Sequence, residues 1–133
     1  MKEVFFYNWE REPVMQWSDL NIIGVEEAGL VSFDVKVSKS IFEASIRIKT
    51  ELSELIDFKE NLAKLFEQNF LVVVFTSSDE DIKIELRREK SGRIYQRFWI
   101  RELSARNNLT VNDYFDQTFL PELIDEINNF IMQ

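Results

Sequence analysis

The sequence predicts an α+β fold: an antiparallel β-sheet of about six to seven strands, one inserted amphipathic helix and C-terminal helices. Three observations predict it. Apolar and polar residues alternate across much of residues 31–48 and 82–101, the period of a half-buried strand. Between those stretches the apolar residues recur at three- and four-residue steps, the period of a helix. Only 3 glycines and 2 prolines occur in 133 residues, so loops should be short and regular elements long. With 12 phenylalanines the chain can fill a core, and its length fits a single domain over residues 1–133.

Taken in order, Val4–Tyr7 reads as a short opening strand, and a second is expected from about Leu20 to Glu26, turning at Ala28-Gly29. Val31, Val35 and Val37 share a face with Phe33, and Phe42, Ala44, Ile46 and Ile48 do the same, so the short link Ser38-Lys39-Ser40 makes these two strands a hairpin. Residues 51–68 form the amphipathic helix. Its early acids Glu51, Glu54 and Asp57 complement the positive N-terminus, and Asn69 is its stop signal. The continuous apolar run Leu71–Thr76 suits a strand buried on both faces. After the polar turn Ser77–Asp81, Ile82, Ile84 and Leu86 alternate with charges, and Ser91-Gly92 turns the chain into the strand Arg93–Arg101. Thr110-Val111-Asn112-Asp113 has the form of a capping box, which predicts a helix from Val111. Pro121 belongs in the first turn of a further helix, whose stripe is Leu120, Leu123, Ile124, Ile127, Phe130 and Ile131. No internal repeat is visible. The expected core includes Phe33, Val35, Ile46, Ile48, Leu55, Leu62, Phe66, Val73, Ile84, Phe98 and Ile127.

Composition narrows function. There is no histidine and no cysteine, which removes Ser–His–Asp triads, thiolate nucleophiles, disulfides and His- or Cys-ligated metals. No nucleotide-binding glycine motif is present, and no cofactor is called for. The N-terminus lacks the apolar stretch of a signal peptide, and no segment approaches the roughly 20 apolar residues of a membrane helix. A soluble cytoplasmic protein is expected, acting without membrane contact.

A net charge of −8 favours a positively charged partner over nucleic acid. Candidate contacts are the acids Glu26 and Glu27 and the run Asp79-Glu80-Asp81, which as adjacent turn residues are better placed as a solvated tip than as a cation site. The sequon Asn108-Leu109-Thr110 is better read as carrying the helix cap at Thr110. Within the basic segment from Lys83 to Arg106, Tyr95, Arg97, Trp99 and Arg101 share one strand face. Aromatics alternating with arginines can form a hot spot for a partner. The competing and favoured reading puts Tyr95 and Trp99 beneath the N-terminal segment, with the arginines paired to nearby acids. Trp9 and Trp17 are equally open as partner anchors or as the lid of the core.

From Val31 to Glu102 the order is hairpin, Leu- and Phe-rich helix, then strands ending in Arg87-Arg88-Glu89-Lys90-Ser91-Gly92-Arg93 and the long alternating Ile94–Ile100. In that order the chain resembles the WapI-type immunity proteins of bacterial polymorphic toxin systems. The resemblance implies a non-enzymatic protein that binds and occludes a toxin, and a basic toxin domain is one that the acidic surface would attract. The alternatives are a small-molecule carrier with an apolar pocket between sheet and helix, and a hydrolase built on two converging carboxylates.

Overall fold

The computed structural model of the protein describes residues 2–23, 29–102 and 107–132. Among these, the chain runs through four strands and a helix, twice over: β1 Val4–Tyr7, β2 Pro13–Ile22, β3 Leu30–Lys39, β4 Phe42–Glu51 and α1 Leu52–Phe66, then β5 Val72–Thr76, β6 Ile82–Arg88, β7 Arg93–Glu102, β8 Asn107–Asp116 and α2 Leu120–Ile131. Each set of strands is an antiparallel meander, in the orders β1-β2-β3-β4 and β5-β6-β7-β8. The fold is therefore α+β, but with two four-stranded sheets where one sheet of six to seven strands was expected. Alternation identifies strands and leaves their neighbours unspecified; the helix between β4 and β5 lets the chain begin a second sheet.

The apolar faces of the two sheets share one core. Trp17 is its hub, fully buried, with the rings of Phe6, Phe33, Phe58, Phe75 and Phe130 centred 5.0–6.1 Å away. Those rings come from both sheets and both helices. The two helices pack against each other, α1 also against β5 and α2 against β1. Lys59 Nζ donates to Asn128 Oδ1 at 3.0 Å across the helix pair. Of the expected core, Ile46 is only half-buried because it lines an open hollow with Ile100 and Leu109, and Phe66 is exposed at the C-terminal end of α1; the others are buried.

Several boundaries differ from expectation for identifiable reasons. The second strand is Pro13–Ile22, earlier than the expected Leu20–Glu26, whose later residues lie outside those described. A bulge between Ser18 and Asn21, with Asp19 at φ 58°, shifts the register and breaks the alternation that would have revealed the strand. The β3–β4 hairpin forms, but its strands run on through Lys39 and Phe42, leaving Ser40-Ile41 as the turn. The α1 stop signal is one residue earlier than Asn69. Gln68 adopts φ 67°, Asn69 N–H donates to the Lys64 carbonyl at 2.9 Å and Gln68 N–H to that of Leu65 at 3.2 Å, a Schellman ending. The Arg88 guanidinium adds to it by donating to the carbonyls of Leu65 and Phe66.

The second sheet has one covered face and one open face, so the apolar run of its edge strand β5 is buried on one side only. Val73 and Phe75 point inward, whereas Val72 and Val74 are 42% and 47% exposed. The capping box at Thr110 does not start a helix. Residues 107–116 are the strand β8, with Thr110 opposite Trp99 and with Val111 and Phe115 buried. The turn into the C-terminal helix is capped later, where the Asp116 carboxylate accepts from Thr118 N–H at 2.9 Å. Pro121 does lie in the first turn of α2. Among the described residues, no helix is long and apolar enough to cross a membrane.

Candidate functional site

β7 turns Ile94, Gln96, Phe98 and Ile100 into the core, so Tyr95, Arg97, Trp99 and Arg101 stand on the outer face of the second sheet. The strand register widens that stripe into transverse rows. One row holds Val72, Arg87, Tyr95 and Tyr114, the next Val74, Glu85, Arg97 and Asn112, and the third Thr76, Lys83, Trp99 and Thr110. The N-terminal segment does not cover this face, contrary to the favoured expectation. It lies on the opposite side of β7, where Gln96 Nε2 donates to the Tyr7 carbonyl at 2.9 Å and the rings of Phe6 and Phe98 meet edge-on at 5.6 Å. Trp17 is the core hub, while half-exposed Trp9 reaches the rim, 5.5 Å from the Arg93 guanidinium.

Tyr95 and Trp99 are half-buried and Tyr114 is exposed, and their partners are sheet neighbours. Tyr95 lies 5.3 Å from Tyr114, and its hydroxyl donates to Asn112 Oδ1 at 2.5 Å. Arg101 lies 5.0 Å over the Trp99 ring. The face inverts the charge of the whole chain: Lys83, Arg87, Arg93, Arg97 and Arg101 stand against Glu85 and Asp116.

Some of those cations are spoken for. Arg87 pairs with Glu85 at 2.6 Å, which holds its guanidinium above the usual range, and Arg101 pairs with Glu80 at 3.5 Å. Arg93 is held between the rings of Trp9 and Tyr114. Lys83 and Arg97 have no ion pair or hydrogen bond among the described residues. With Glu85 and Trp99 they line an open hollow of about 240 Å³. An indole beside two unmatched cations can receive a planar or apolar group that carries a carboxylate.

The acidic run Asp79-Glu80-Asp81 forms the β5–β6 turn at the Trp99 end of this face. Asp81 accepts from Ser77 Oγ at 2.5 Å, and the Glu80 carbonyl accepts from Arg101 Nε at 3.1 Å. Among the described residues no group of three acids converges to hold a metal ion. The structure thus joins Glu80 and Asp81 to Trp99 and Arg101 in one region. Glu26 and Glu27 lie outside the described residues.

A second cluster escaped sequence reading because its members are far apart in the chain. Arg11 sits between the rings of Tyr7 and Phe119, 4.6 and 4.7 Å away, and pairs with Glu122 at 2.8 Å. One helical turn on, Glu126 accepts from Phe5 N–H at 2.8 Å. Burial raises the Glu126 pKa, with a further push from Glu122, against the lowering effect of the Phe5 hydrogen bond. Burial, Glu126 and Glu122 likewise raise that of Tyr7. These carboxylates are engaged in tying β1 and the β1–β2 turn to α2. The cavity beside them, lined in part by Phe6, Gln96 and Phe115, measures about 10 Å³, near the size of one water.

Neither a scan against protein-family models nor a search of curated proteins finds a match. Among solved structures, that of the plant transcriptional regulator PBF-2 is similar at 5% identity, over 97% of this chain and 78% of that one, with a TM-score of 0.48. At that level of likeness, neither fold nor function is transferred.

Proposed function

We propose that this protein is a non-enzymatic binding module that docks another protein on the outer face of its second sheet, with Trp99 as the anchor. The observation that carries this reading is the half-buried Trp99 beside Lys83 and Arg97, two cations with no partner among the described residues. Tryptophan and arginine are the residues most often found to dominate interface energy. The fitting partner lays a carboxylate-bearing edge on Lys83 and Arg97 and a basic group against the acidic turn Asp79–Asp81. The resemblance to immunity proteins supports a toxin as that partner, inhibited by occlusion. A basic toxin domain would be drawn at long range by the net charge of −8 and then matched locally by this mixed footprint.

The other readings find less support. The cavity between sheet and helix, about 10 Å³, is too small for an organic ligand, the larger hollows of about 350 and 460 Å³ beside Phe42 and Leu109 are wide open to solvent, and Glu122 and Glu126 are committed to Arg11 and Phe5. Aromatics and arginines on a sheet can also stack bases, but the acidic turn at the end of the face opposes a phosphate backbone. The full chain is therefore expected to capture a protein from its source cells with nanomolar affinity that weakens with salt, and to lose it in the Trp99→Ala and Arg97→Glu variants. Capture of nucleic acid or small ligands alone, or equal capture by the variants, contradicts the proposal.

A further inference from the structure

The four outer edges of the two sheets are not treated alike. On β1, the Phe5 N–H donates to the Glu126 carboxylate. β4 carries Glu43, Arg47, Lys49 and Glu51, and charges of this kind discourage strand addition. On β8, the Asn112 carbonyl accepts from Lys39 Nζ at 2.6 Å. β5 has neither protection: Val72–Thr76 contains no charge, proline or bulge. Around its start, Phe66, Phe70 and Leu71 are also exposed.

Hydrogen bonding fixes which groups β5 offers. Arg88 N–H donates to the Leu71 carbonyl at 2.8 Å and Ser77 N–H to that of Ile82 at 3.1 Å. In an antiparallel ladder these bonds turn the backbone groups of Leu71, Val73, Phe75 and Ser77 toward β6. The N–H and C=O groups of Val72, Val74 and Thr76 therefore face the free edge, where no partner is present among the described residues.

We infer that β5 pairs with β5 of a second copy of this chain, antiparallel about a two-fold axis at Val74. The register is self-complementary. Val74 exchanges N–H···O bonds with its own copy, and Val72 exchanges them with Thr76 on either side, so every edge-facing group of the strand is satisfied. No like charges meet in that pairing. The two outer faces become one eight-stranded surface carrying two Trp99 hollows.

Sedimentation velocity of the full chain tests this. The wild type is expected to show a concentration-dependent dimer. Val74→Lys and Val74→Glu are each expected to be monomeric, because the axis sets like charges directly opposite. An equal mixture of the two is expected to recover the dimer, since Lys then faces Glu. Circular dichroism checks that both variants remain folded, and Trp99→Ala should dimerise as the wild type does, which separates this result from the docking proposal. A wild type that stays monomeric at every soluble concentration overturns the inference and leaves the edge to a strand of another protein. A dimer that persists in Val74→Lys overturns it too.

Discussion

Trp17 and Trp99 are both strand tryptophans, and their faces of the sheet give them unequal expected effects on stability. Trp17→Ala removes the ring that joins five phenylalanines from every layer, so it should cost about 3–5 kcal/mol in chemical denaturation. Trp99→Ala removes a half-buried ring from an open face and should cost less, about 1 kcal/mol. Glu126 makes a pH-dependent prediction. Its folded pKa lies above the ordinary carboxylate value of 4.5, so between that value and the folded pKa the native state holds a proton that the unfolded chain has released. Stability is therefore lost as pH rises through that window. Glu126→Gln keeps an acceptor for Phe5 N–H and removes the charge. Its melting temperature should exceed that of the wild type at neutral pH, with the advantage disappearing as pH falls toward 4.5.

At the level of elements, the two candidate helix signals near the C-terminus make opposite predictions. Thr110→Ala should cost little in thermal denaturation, because Thr110 is an exposed strand residue. Asp116→Ala removes the carboxylate that caps the turn into α2 and should cost about 0.5–2 kcal/mol. The comparison shows what local pattern can reveal. The β3–β4 hairpin, α1, β6 and β7 were legible because each keeps one period from end to end, and α2 because Pro121 marks its first turn. β2 was obscured by the Asp19 bulge. In β8, a half-buried Asp113 paired with Lys39 interrupts the inward apolar positions, so the capping-box spelling of Thr110–Asp113 stood out instead. The edge position of β5 depends on which strand lies beside it, which no local period encodes.

For the whole molecule, the sorting of charge matters more than its total. The net charge is −8, yet the outer face of the second sheet carries five cations against two carboxylates. The stripe at Tyr95–Arg101 was legible from alternation within one strand. Its openness was not, because that required β1 to pack on the far side of β7, and the role of Lys83 required the register with β6. The Arg11–Glu122 clasp joins residues 111 positions apart and had no signal in the sequence. The most direct test is the dissociation constant of the captured partner for Trp99→Ala against the wild type, measured by calorimetry at fixed salt. A docking anchor predicts a loss of about 2 kcal/mol or more, on the order of 30-fold, in a variant that circular dichroism shows to be folded. An affinity equal to that of the wild type would contradict the docking of a partner at Trp99.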